Sequence, residues 1–219
     1  MATALKLYPV FALAALLVRR QFKLLAASSL AALLIFAYLF DQLGTIQSAT
    51  QKGYRLAYGL PSLGLYFERI DMPWVLAGAM IATFVAVLIL TVYFRRLKDF
   101  HDQDGFAANL FLCGAAIYVG TFIVATNWDY RLMFLILCIP HLQSAARPLD
   151  RILVALILIA MNASLLLWFF GKAGMAVNWS AKLAVFIVLC AWLITRGLAA
   201  MTPRHAAAGP AETAAGASP

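Results

Sequence analysis

The chain has 219 residues, of which 64% are hydrophobic and 12% charged, with a mean hydropathy of +0.88 and a formal net charge of +8. Soluble domains carry about 25% charged residues, so this composition excludes an ordinary water-soluble fold and makes lipid the solvent for most of the chain. The 17 basic residues are scattered over the ends of apolar runs, which excludes a nucleic-acid-binding face.

A hydrocarbon layer of about 30 Å takes about 20 apolar residues in a helix rising about 1.5 Å per residue. Residues 5–18 form a first, short apolar run. The basic cluster Arg19, Arg20 and Lys23 follows this run instead of preceding it, so it reads as structure and not as a secretory signal. Residues 24–40, 74–94, 106–126, 152–170 and 181–195 are expected to be full spans, and 132–146, interrupted by Pro140, a second short one. The fold class expected is all-α: a polytopic transmembrane helical bundle of about seven membrane segments over residues 1–200, followed by a disordered cytoplasmic tail over 201–219 that is rich in Ala, Gly and Pro.

Residues 41–73 interleave Tyr54, Tyr58, Tyr66 and Phe67 with Lys52, Arg55 and Arg69, and break at Gly59-Leu60-Pro61. Aromatic bodies with polar tips suit the headgroup layer, so this connection is expected to be an outer interfacial loop. Placing Arg19, Arg20, Lys23, Arg95, Arg96, Lys98, Arg147, Arg151, Arg196 and Arg204 on one side collects ten of the 17 basic residues. The positive-inside rule makes that side cytoplasmic, with the amino terminus outside. The localisation expected is an integral protein of a bacterial inner (plasma) membrane, part of the cell envelope. Cys113, Cys138 and Cys190 all lie in apolar runs and suit packed thiols. Gly78, Ala82 and Ala86, and separately Gly114 and Tyr118, recur at helical spacing and predict flat stripes for close helix contact.

The most informative stretch is Asn127-Trp128-Asp129-Tyr130-Arg131, an acid, a base and two amphipathic aromatics between two runs of hydrocarbon. Ionisable groups at such a junction are costly and point to function. Asp129 also suits a helix start, where its carboxylate would accept bonds from free amides. Arg131 offers a planar five-donor fork that fits a pair of phosphate oxygens, with snorkelling to headgroups as the plainer role. Lys6 and Tyr8, on the same outer side, would add a second cation and a phenol. Lys6, Tyr8, Asp129, Tyr130 and Arg131 are therefore the expected substrate-binding residues, a seat for a phosphate or diphosphate headgroup. The turn 171–180, carrying Asn178-Trp179-Ser180, is expected on the outer side too, and the sequon Asn162-Ala163-Ser164 within a span. His101, His141 and His205 share no metal-ligand spacing, and no nucleotide-binding glycine motif or nucleophile elbow occurs. No cofactor and no metal ligand set is expected; participation of a divalent ion is left open.

Three stretches of this chain resemble the carboxy-terminal half of the C-type glycosyltransferases that use polyprenyl-phosphate sugars, those of glycosyltransferase family 87. They are Leu5-Lys6-Leu7-Tyr8-Pro9 running into Leu16-Leu17-Val18-Arg19-Arg20, then Tyr58-Gly59-Leu60-Pro61-Ser62-Leu63, and Gly114 to Phe122 leading to Asn127-Trp128-Asp129-Tyr130-Arg131 and Ile139-Pro140. The resemblance implies a membrane enzyme that moves a hexosyl group from a lipid-linked phosphate at the outer face and inverts the anomeric centre. It implies membrane lipid and a polyprenyl-phosphate-linked sugar as partners. The acidic loop that such enzymes use as general base has no counterpart here, so the chain is expected to be a truncated relative. Its catalytic residue is unassigned: Asp129 is the candidate, and Arg131 beside it would lower its pKa and weaken it as a base. A second membrane chain supplying the acid would restore activity. The alternative is a non-catalytic integral membrane subunit or a carrier of small solutes or lipid.

Overall fold

The computed structural model describes residues 22–39, 57–69, 71–97, 105–124, 127–145 and 147–201. Lys6, Tyr8, the first apolar run and the tail 202–219 lie outside them. The elements are helices α1 (Phe22–Leu39), α2 (Leu60–Arg69), α3 (Pro73–Arg96), α4 (Phe106–Val124), α5 (Ile139–Ala145), α6 (Pro148–Met161) and α7 (Ala163–Met201), with a 3-10 helix over Asp129–Cys138. Two strands of two residues each, β1 (Ala57–Tyr58) and β2 (Asn127–Trp128), complete an otherwise all-α architecture.

Three stretches are long and apolar enough to cross a membrane, as an integral membrane protein requires: Trp74–Arg96, Phe106–Ile123 and Ala163–Ala200. Of the five full and two short segments expected, residues 5–18 lie outside the described residues, and two others depart from the expectation for local reasons. The run 152–170 is broken at Asn162 and again at Gly171, and the run 132–146 is mostly 3-10.

Helix α3 starts at Pro73, where a missing amide costs nothing, and ends at Arg95 and Arg96, cations that suit the negative end of a helix. Trp74, Ile81, Phe84, Ile89 and Val92 are exposed along its length, a surface only lipid tolerates. Among the described side chains of α3 only Val87, Thr91 and Phe94, spaced four and three apart, are buried; Val87 and Phe94 pack with Ala191 of α7. The stripe expected at Gly78, Ala82 and Ala86 is not a contact: a Cβ on Gly78 would meet nothing within 4 Å. The connection before α3 closes α2 with a Schellman turn, in which the Met72 amide donates to Phe67 O at 3.0 Å and the Asp71 amide to Glu68 O at 3.1 Å. Asp71 therefore takes φ 54°, a left-handed conformation that favours glycine. Asp71→Gly is expected to raise stability by about 0.5–1 kcal/mol in detergent melting, and a loss of stability would contradict this account of the turn.

Helix α4 is the centre of the bundle, with Phe111, Leu112, Ala115, Tyr118 and Phe122 buried on several sides. Its partner is the 3-10 helix, and the pattern of burial explains that conformation. Leu132, Leu135 and Cys138 are 1%, 0% and 0% exposed, while Met133 and Ile136 are 57% and 50% exposed. A period of three matches three residues per 3-10 turn and would drift around an α-helix. At Pro140, which has no amide to donate, the chain is already α-helical, and His141 and Leu142, three and four residues after Cys138, are both buried. Ten residues at about 2.0 Å and seven at about 1.5 Å carry this segment roughly 30 Å. Gly114 permits the contact: a Cβ there would lie 2.7 Å from Phe134 O and 3.0 Å from Leu137 Cβ. Of the stripe expected at Gly114 and Tyr118, Gly114 is a point of close approach to the 3-10 helix, while the Tyr118 hydroxyl bonds to α7.

Helices α6 and α7 form a hairpin. At the end of α6, Asn162 leaves the helix at φ −101° and ψ 37° while its side-chain amide donates to Leu158 O at 2.6 Å. Gly171, at φ 54° and ψ −128°, then turns the chain sharply, and Gly174 packs against the Leu166 carbonyl where no Cβ would fit. From Lys172 to Met201 the chain is one continuous helix, so the turn expected over 171–180 reduces to Gly171 alone. Asn178, expected in that turn, is 2% exposed and its side-chain amide donates to Ile159 O and Ala160 O, both at 2.9 Å. Both belong to the last turn of α6, where Ile159 O also accepts from the Asn162 amide at 3.2 Å. The free thiols Cys113, Cys138 and Cys190 sit within the bundle, Cys138 fully buried.

Candidate functional site

Of the residues singled out by sequence, Asp129, Tyr130 and Arg131 fall at one end of the bundle, beyond the end of α4. There β1 and β2 pair antiparallel, with Ala57 opposite Trp128 and Tyr58 opposite Asn127. Gly59 follows at φ 112°, and its carbonyl accepts from the amides of Ser62 and Leu63 at 3.1 and 3.2 Å, which starts α2. Pro61 falls in that first turn, where its lack of an amide is harmless. Ser62 is fully buried beneath the turn, and Leu60 packs against the main core. The backbone of Tyr58-Gly59-Leu60-Pro61 is in this way clamped beside Asn127-Trp128, some 70 residues away in sequence.

Asp129 opens the 3-10 helix, so the helical start expected at Tyr130 comes one residue earlier and in a tighter form. Asp129, Tyr130 and Arg131 occupy the first turn of that helix, directly after β2. The structure thus joins two of the three stretches that carried the resemblance. The third, with Lys6 and Tyr8, lies outside the described residues, and so does any approach of Lys6 to Arg131.

One charged residue in the same half of the bundle escaped the sequence reading. Lys182 is 0% exposed, and its ammonium lies 5.7 Å from the centroid of the Trp179 ring. Beside it, the Tyr118 hydroxyl donates to the Lys182 main-chain oxygen at 2.8 Å, tying α4 to α7. Tyr118 is six residues before Val124, about 9 Å along the axis from the end of α4, beyond which the Asn127–Arg131 stretch begins. Around this bond Tyr118, Phe122 and Phe186 build an aromatic wall, Phe122 stacking on Phe186 at 4.3 Å and 18°. A cation enclosed in an apolar bundle is expensive and is retained where it meets negative charge or a strong dipole. The signal in the sequence is the lone cation of the run 181–195.

Among the described residues no three His, Cys, Asp or Glu side chains gather closely enough to hold a metal ion. No protein-family model, curated protein or solved structure matches this chain.

Proposed function

We propose that this protein is a membrane-embedded relative of the glycosyltransferases that use lipid-linked sugars, and that it holds a polyprenyl phosphate headgroup at the outer membrane face. Lys6, Tyr8, Asp129, Tyr130 and Arg131 form the seat, and Lys182 beneath it adds a fixed positive charge. The observation that carries this reading is the β1–β2 pairing, which sets Tyr58-Gly59-Leu60-Pro61 against the start of the Asn127–Arg131 stretch. Two stretches chosen for their chemistry, far apart in sequence, share one end of the bundle.

In this reading residues 5–18, α1, α3, α4, the 3-10 helix with α5, α6 and α7 make seven crossings of a plasma membrane. The amino terminus is outside and the basic ends Arg95, Arg96, Arg147, Arg151 and Arg196 face the cytoplasm. The 3-10 geometry supports the fifth crossing, since it stretches a short run over about 30 Å. In hexosyl transfer an acceptor hydroxyl attacks the anomeric carbon, the bond from that carbon to the phosphate oxygen breaks, and a base takes the hydroxyl proton. Arg131 would neutralise the departing phosphate; the base would be Asp129 or an acid brought by a second membrane chain.

The test is binding of a short-chain polyprenyl phosphate to the full chain in detergent. Arg131→Ala is expected to weaken it about 10- to 100-fold, the worth of one charge-assisted contact of about 1.5–3 kcal/mol, with partial recovery in Arg131→Lys. Lys6→Ala should weaken it further and independently if the two cations hold different oxygens. Unchanged affinity in Arg131→Ala would sink the proposal.

A further inference from the structure

At the other end of the bundle the last turn of α3, the start of α6 and the last turns of α7 enclose a cavity of about 400 Å³. Its walls are largely apolar, with Phe94, Leu142, Leu149, Leu153 and Val188 among them. Among the described residues its charged side chains are Arg147, Asp150 and Arg196, and His141 adds an imidazole.

Each charged group is fixed by its surroundings. Arg196 is 8% exposed and its guanidinium carbon lies 5.4 Å from the centroid of the Trp192 ring. Trp192 is held edge-on to Phe111 at 4.4 Å, and His141 packs against both rings. Arg147 is the residue that caps the start of α6, directly before Pro148, and is half-buried. Asp150, in the first turn of α6, accepts a bond from the Arg147 backbone amide. Its Oδ2 is buried and has no hydrogen-bond donor among the described residues.

The position of the cavity narrows the class of ligand. Arg95 and Arg96 are exposed on the last turn of α3, next to the lining residues Tyr93, Phe94 and Leu97. Cations at the end of a membrane-length helix lie at headgroup depth. The volume suits a headgroup with its glycerol, and is small for a whole lipid. Two guanidiniums against one carboxylate leave the site cationic, which favours a phosphodiester and disfavours an added ammonium. The lone Asp150 oxygen asks for a hydroxyl donor.

We propose that this cavity binds the headgroup of an anionic, hydroxyl-bearing phospholipid, with the phosphate between Arg147 and Arg196, a headgroup hydroxyl donating to Asp150 Oδ2, and the glycerol against the apolar wall. The site is separate from the outer seat and stands or falls independently of it. The test is a lipid titration of the full chain, delipidated in detergent, followed by native mass spectrometry with phosphatidylglycerol, phosphatidylcholine and glycerol phosphate as probes. Phosphatidylglycerol is expected to bind at least about tenfold tighter than phosphatidylcholine, and Arg147→Gln and Arg196→Gln each to remove about tenfold of its affinity. Arg95→Gln, a charge change at the same end but outside the cavity, should leave affinity unchanged. Should the buried Arg196→Gln variant fail to fold, the half-buried Arg147→Gln carries the test. Equal binding of the two lipids, or an equal loss in Arg95→Gln, would overturn the site in favour of general surface attraction. Glycerol phosphate binding as tightly as the lipid would overturn the lipid assignment.

Discussion

Gly114→Val is expected to destabilise the protein by about 3 kcal/mol, a drop of about 6–12 °C in the apparent melting temperature for a chain of this size. The cause is backbone contact. A Cβ at this position would already press on Phe134 O at 2.7 Å, and Leu137 Cβ and Cys138 Sγ would lie 3.0 and 3.1 Å away. A carbonyl oxygen held in a helix cannot rotate aside as a flexible side chain can, so α4 and the 3-10 helix must move apart. Gly114→Ala feels the same contact but gains about 1 kcal/mol of helix propensity, and its net cost is expected to be about 1–2 kcal/mol. Gly78→Ala on α3 is the internal control: with nothing within 4 Å, it should keep the propensity gain and melt at the same temperature or higher. Fluorescence-detected melting of the three variants in one detergent gives the order. If Gly114→Ala stabilises as Gly78→Ala does, the close packing of α4 on the 3-10 helix is wrong.

Asn178→Leu is expected to cost about 2–4 kcal/mol. It removes two bonds at 2.9 Å to Ile159 O and Ala160 O, in a place where water does not reach. Ile159 O keeps a bond from the Asn162 amide at 3.2 Å, so the loss falls mainly on Ala160 O. Asn178→Asp, which keeps the shape but has no donor when ionised, should be at least as damaging because it sets a carboxylate against two carbonyls. Asn162→Ala removes one exposed bond to Leu158 O and should cost about 1 kcal/mol. A neutral Asn178→Leu would show that the end of α6 needs no partner from α7.

These two asparagines show why parts of the fold were hidden in the sequence. In water, a stretch that holds Gly, Asn and Ser marks a turn, which is the expectation for 171–180; inside a membrane bundle the Asn178 side chain is the donor that lets one helix end against another. The long helices α3 and α4 were legible because about 20 uninterrupted apolar residues have few other ways to satisfy their backbone. The 3-10 helix was not legible, because its lipid-facing residues Met133 and Ile136 are as apolar as its buried ones and polarity carries no trace of the three-residue period. Of the candidate site, the Asn127–Arg131 stretch stood out by charge against hydrocarbon, whereas nothing in residues 57–58 announced that they would pair with it. Lys182 was overlooked for a simpler reason: at the edge of an apolar run one cation looks like a flank, and only packing reveals that it is enclosed.

A three-residue period separates two properties that an α-helix keeps entangled. Deleting one full 3-10 turn between Leu132 and Cys138 would leave the same kind of side chain facing Gly114, yet draw Asn127–Arg131 about 6 Å along the bundle axis. An α-helix offers no such cut, since removing three or four residues rotates everything beyond it by tens of degrees. In this protein the segment behind Asn127–Arg131 works as a ruler marked in threes, on which depth can be altered while orientation is kept.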